Sequence, residues 1–203
     1  MSAVSSSKRS INFTWRVVDI VIAAVLAVAC GVAFWAWDTG SVVPTTLLNS
    51  LLPGLQGILG GVWLLAAVLV PLVVRKPGAA ILAEIVAATV ETLLGTAWGP
   101  DQLLYGLIQG LGAEIVFAAF LYSSWRLGTA MLAGAGAAVG LTVLDLVLYY
   151  PGQTLAFDLI YGVSSLVSGA LIAGLVSWLL VRAVAKTGAL SRFASGRTSR
   201  ELI

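Results

Sequence analysis

Six apolar runs, each about long enough to cross a bilayer, recur along this 203-residue chain and decide most of what it can fold into. About 20 consecutive apolar residues span the hydrocarbon core as a helix. In that medium the backbone polar groups must be satisfied internally, which a helix does. The runs lie at about 17–37, 56–74, 78–94, 101–125, 127–150 and 155–181. Composition agrees: 60% of residues are hydrophobic and 10% charged, with mean hydropathy +1.03. A soluble domain carries about 45–50% apolar and 25% charged residues. The fold class expected is all-α, a polytopic membrane protein of six transmembrane helices.

The domain division follows: a disordered lead over 1–15, the transmembrane domain over 16–186, and a basic tail over 187–203. Lys8, Arg9 and Arg16 before the first run resemble a signal-peptide n-region. The run that follows is longer than the roughly 7–15 residues of such a segment. The stretch Leu26–Cys30 resembles a lipoprotein cleavage site, but the apolar run continues through it. The first segment therefore reads as a retained helix.

Orientation comes from the basic residues. Lys8, Arg9 and Arg16 precede span one; Arg75 and Lys76 separate spans two and three; Arg126 separates four and five. Arg182, Lys186, Arg192, Arg197 and Arg200 follow span six. All 11 Lys and Arg residues thus fall on one side, which the positive-inside rule makes cytoplasmic. An even number of spans also puts both termini there. The net charge of +2 is explained by this topology, and no nucleic-acid partner is expected. Histidine is absent and Cys30 stands alone. That leaves no His-based metal site, no Ser-His-Asp triad and no disulfide within the chain. No metal or cofactor is called for.

Small residues four apart recur, as at Ala23 and Ala27, Ala29 and Ala33, Gly106 and Gly110, and Gly136 and Gly140. They let helix backbones approach closely in lipid.

The informative residues are acidic. Glu84 and Glu91 lie in span three, Glu114 in span four, Asp145 in span five and Asp158 early in span six, with no Lys or Arg inside any span. A charge at the bilayer centre costs at least about 2.5–3.5 kcal/mol, so such groups are paired, protonated, cavity-facing or functional. Glu84 and Glu91 share a helix face, as do Tyr105 and Gln109, Asp145 and Tyr149, and Asp158, Tyr161 and Ser165. Trp37 and Trp98 sit at the outer rim. Carboxylates, a carboxamide and aromatic faces suit a flat, positively charged heteroaromatic solute. Plainer roles stand beside this one. Trp and Tyr at span ends anchor at the interface. Asp101 and Asp158 have the spacing of helix caps, and Glu114 lies low enough to be structural or to face a partner.

Several of these residues sit in recognisable blocks. Arg75-Lys76-Pro77-Gly78, Ala83-Glu84, Glu91-Thr92-Leu93-Leu94-Gly95, Trp98-Gly99-Pro100 and Gly106 through Glu114 together resemble the YkoE family. Its members are substrate-binding (S) components of energy-coupling factor (ECF) vitamin transporters. Residues 132–138 and the pairs around Gly169 and Gly174 are similar too, so the resemblance runs from about 16 to 190. It implies six helices in a bacterial plasma membrane and a thiamin-like ligand, either thiamin or its hydroxymethyl-pyrimidine precursor. It also implies a transmembrane coupling subunit and two ATPase subunits. Ala23 and Ala27 match the pattern by which S components pack on the coupling subunit, and 38–55 occupies the place of a lid. Site residues expected are Glu84, Glu91, Trp98, Tyr105, Gln109, Glu114, Asp145, Tyr161 and Trp37. The chain has no Walker A motif, so any ATP hydrolysis belongs to partners. The rival is a stand-alone, ion-coupled secondary transporter. No inverted repeat and no pair of Pro/Gly-broken spans is evident in its favour.

Overall fold

The computed structural model describes residues 13–96, 98–188 and 190. Most of the expected lead and tail lies outside them. The described chain is helical throughout. Helix α1 runs Val17–Gly40 and α2 Val42–Leu51. A 3₁₀ segment, Leu55–Leu64, leads directly into α3, Leu65–Val74. Then come α4, Ala79–Leu94, α5, Gln102–Ala119, and α6, Leu127–Leu148. The last span is α7, Leu155–Ser168, a π-helical stretch Gly169–Val176, and α8, Ser177–Lys186.

Among the described residues, five helical stretches are long and apolar enough to cross a membrane. They are Val17–Gly40, Leu55–Val74, Gly99–Ala119, Leu127–Leu148 and Leu155–Lys186. Helix α4 has 16 residues, about 24 Å of helix, shorter than the bilayer core of about 30 Å. It is packed among α1, α3 and α5. Most apolar residues on the outer faces of the helices are exposed, as Val25, Val143 and Leu159 are. In a membrane those faces meet lipid, and the small residues do the inside packing. A Cβ added at Gly106 would lie 2.9 Å from the Glu84 carbonyl, and one at Gly110 would lie 2.7 Å from Ile81 Cα. These two glycines therefore hold α5 against α4.

Two spans are broken where continuous helices are expected. Span two changes from 3₁₀ to α at Leu64, and span six carries its π stretch at Gly169. Runs of 3₁₀ helix longer than three or four residues are uncommon. The reason here is contact between the two breaks. Gly57, Gly60 and Gly61 are buried in the 3₁₀ segment. Ser168 Oγ accepts from Gly61 N at 2.8 Å and donates to the Ile58 carbonyl. Irregular backbone at membrane depth is tolerated where protein surrounds it or a cavity adjoins it.

Ala23 and Ala27 correct one expectation. Both are completely buried, on the side of α1 that packs against α4 and α3. In the lone chain their lack of side-chain bulk brings α1 close to its own neighbours, so neither presents an outward surface. Ala29 and Ala33 are the pair that α1 exposes.

At the end holding Arg16, Arg75 and Arg126, polar contacts tie the helices together. Arg16 grips the fully buried Asp19 through two contacts, Nη2 to Oδ1 at 2.7 Å and Nε to Oδ2 at 3.0 Å. Trp15 Nε1 donates to the Pro77 carbonyl at 3.1 Å. The Arg75 guanidinium lies 5.8 Å from the centre of the Trp125 ring.

Candidate ligand-binding site

The opposite half of the bundle encloses a cavity of about 820 Å³ including its open mouth. Its walls come from the end of α1, α2, the 3₁₀ segment, α4, α5, α6 and α7. Glu84, Glu91 and Asp145 line it, and among the described residues no Lys or Arg does. The aromatic surface comes from Phe34, Trp63, Trp98, Tyr105, Tyr149, Tyr150 and Tyr161.

Each carboxylate is held in its own way. Glu84 is 1% exposed, and its Oε1 accepts from Ala67 N at 2.7 Å. Ala67 is the third residue of α3, in the turn where the 3₁₀ segment gives way to α-helix. The acid thus caps a helix that starts halfway along a span, where the helix dipole favours negative charge. Asp145 takes two phenols, Tyr105 OH on Oδ1 at 2.6 Å and Tyr161 OH on Oδ2. Glu91 Oε1 accepts from Trp63 Nε1 at 3.2 Å and from Gln102 Nε2 at 3.4 Å. The same indole N–H lies 3.2 Å from Asp38 Oδ1.

At the rim, Trp98 is 43% exposed and meets Tyr149 edge to face at 5.1 Å. Tyr150 and Tyr161 are 5.3 Å apart between ring centres. Just outside the membrane-spanning helix α6, Tyr149 and Tyr150 have their phenol pKa raised, chiefly by burial.

Seven of the nine residues expected from the sequence therefore meet here: Glu84, Glu91, Trp98, Tyr105, Gln109, Asp145 and Tyr161. Two do not. Trp37 stands behind the wall, edge-on to Trp63 with 6.4 Å between ring centres, and donates to the Leu59 carbonyl at 3.3 Å. Glu114 lies at the far end of α5. Its oxygens accept from Gly78 N at 2.6 Å, Ala80 N at 2.9 Å and Tyr122 OH at 2.8 Å. Glu114 is thus the cap of α4. Gly78 adopts φ +81°, a conformation that favours glycine, at the turn that aims both N–H groups at the carboxylate. Burial, and then the bond to Glu114, push the Tyr122 phenol up to about 12.

Trp63, Gln56 and Gln102 are wall residues beyond those nine. Gln102 was legible, since it shares a face with Tyr105 and Gln109. Trp63 was not, because the 3₁₀ turn resets the helix face.

An apolar, multi-helix body with an acidic, aromatic-walled cavity defines an integral-membrane solute-binding protein. Residues 18–140 match the family model "ABC-type cobalt transport system, permease component". The chain is 36% identical over 190 residues to the Bacillus subtilis (strain 168) protein "Putative HMP/thiamine permease protein YkoE", covering 91% of this chain and 92% of that one. A solved structure, "Crystal structure of an S-component of ECF transporter", superposes with a TM-score of 0.85 at 35% identity over 93% of this chain and 94% of that one. The chain belongs to the YkoE family of ECF-transporter S components, multi-pass proteins of the plasma membrane. Such components are not enzymes. Among the described residues, no group of three or more Cys, Asp or Glu side chains is placed to hold a metal ion.

Proposed function

We propose that this chain is the substrate-capture subunit of an ATP-driven ECF importer, taking thiamin or its hydroxymethyl-pyrimidine precursor from outside the cell. The observation that carries this reading is the cavity wall: three carboxylates, no base among the described residues, and aromatic faces on several sides. A thiazolium is a permanent cation that aromatic faces attract. An aminopyrimidine donates through its exocyclic amine to a carboxylate and finds both donor and acceptor on Gln109. The name of the Bacillus relative points to the same chemistry.

The reading includes six spans with both termini cytoplasmic, α4 counting as the third span. The cavity then opens outward, and the arginine-rich end faces the cytoplasm, where ATPase subunits act. Helix α2 serves as the lid. None of its ten residues is buried, while its Thr45 and the preceding Ser41 face the cavity. A coupling subunit in the membrane and two ATPases supply the energy.

Proteoliposomes carrying the chain with its coupling module are expected to accumulate labelled thiamin or precursor only when ATP is supplied, and the chain alone to accumulate none. Uptake by the chain alone, driven by an ion gradient, would replace this reading with that of a secondary transporter.

A further inference from the structure

Trp63 belongs to the cavity wall, and its single indole N–H is shared. Asp38 Oδ1 and Glu91 Oε1 each lie 3.2 Å from Nε1. The two acids differ in setting. Glu91 lines the cavity, whereas Asp38 is not part of its wall. Asp38 stands near the end of α1, just before the chain turns at Gly40 and Ser41 into α2. Its backbone carbonyl accepts from Ser41 Oγ at 3.3 Å.

One N–H needs only one acceptor. The second acceptor matters when the first is taken away. A cationic ligand that draws the Glu91 carboxylate toward itself would leave a half-buried indole without its bond. That costs about 1–3 kcal/mol if the donor stays unpaired. With Asp38 in place the indole keeps a partner, and Glu91 is released to the ligand at little cost. A ring held before binding also loses less freedom on binding.

We propose that Asp38 is a positioning residue of the ligand site: it holds the Trp63 ring in the wall through Nε1 and so frees Glu91 for the ligand, without touching the ligand itself. This rests on the thiamin-class reading above. Asp38 and Glu91 also meet directly, carboxyl to carboxyl, beside the shared N–H; the other polar groups facing this cluster are Gln102, bonded to Glu91, and the Trp37 ring against Trp63. Neither reaches Trp63 Nε1 among the described hydrogen bonds.

The test is a double-mutant cycle with thiamin as the probe, together with the indole ¹⁵N–¹H resonance of Trp63 in ligand-free protein. That resonance is assigned by its loss in Trp63→Phe. Asp38→Ala is expected to shift the resonance and weaken thiamin binding about tenfold. Asp38→Asn keeps an acceptor and stays within about twofold of the parent. In the Trp63→Phe background, Asp38→Ala should lose most of its effect, because the group it acts through is gone and only its direct contact with Glu91 remains. Should Asp38→Ala not fold, Asp38→Ser takes its place, being too short to reach the indole. A full loss recurring in the Trp63→Phe background would overturn the proposal, as would an unmoved resonance in Asp38→Ala. If the parent protein binds neither thiamin nor the pyrimidine, the thiamin-class reading fails, and the resonance alone decides whether Asp38 positions the ring.

Discussion

Glu84 Oε1 lies 2.7 Å from the backbone nitrogen of Ala67, so a carboxylate on one helix closes the start of another halfway across the bundle. The contact gives Glu84 two jobs that substitution can separate. Glu84→Gln keeps an oxygen for the Ala67 N–H but removes the charge. Thiamin affinity should fall by about 1–3 kcal/mol, while the unfolding temperature moves little. Glu84→Ala removes both, and the bare α3 terminus should also cost about 1–2 kcal/mol of stability. Calorimetric titration and thermal unfolding in detergent separate the two variants.

Glu114 has the second of these jobs without the first. It caps α4 through Gly78 and Ala80 and stands apart from the cavity. Glu114→Ala is expected to lower stability by about 1–2 kcal/mol and leave thiamin affinity within about twofold. A selective loss of affinity in a stably folded variant would return Glu114 to the ligand site.

Asp145 is held by two phenols, and Tyr105 and Tyr161 both line the cavity. Removing one donor leaves a buried carboxylate partly unpaired. Tyr161→Phe should therefore weaken binding by about 1–2 kcal/mol, with the Tyr105→Phe, Tyr161→Phe pair costing more than the sum of the single changes. Four titrations under one condition complete that cycle.

Ala23 is fully buried where α1 packs against its neighbours. Ala23→Leu should destabilise the isolated protein by about 1–3 kcal/mol through overpacking. Ala29→Leu, on the exposed face, should leave its unfolding temperature unchanged. Parallel thermal scans check both.

What the sequence made legible follows from what each feature depends on. Helix positions depend on local hydropathy, and the spans start and stop within a few residues of the apolar runs, except that α5 ends at Ala119, before Trp125. Buried acids without bases stand out in any apolar sequence, and Glu84, Glu91 and Asp145 do meet in one cavity. Which side of a helix faces which neighbour depends on the whole bundle. That is why Ala23 and Ala27 turn inward and Glu114 turns to α4. The 3₁₀ segment was hidden for a related reason. Its glycines read as ordinary small residues until Ser168, more than a hundred positions away, is seen to hold Gly61. Asp38 looked like the end of a span, and only the fold brings it to Trp63.

The central claim is that the cavity takes a thiamin-class ligand, and a direct titration tests it. The purified chain, without partners or ATP, would be titrated with thiamin and with the hydroxymethyl-pyrimidine, following the fluorescence of its seven tryptophans. Trp63 and Trp98 line the cavity, so the account predicts saturable quenching by at least one of the two at sub-micromolar concentration, about −8 kcal/mol or stronger. No saturable response to either compound, from protein that unfolds cooperatively, would contradict it.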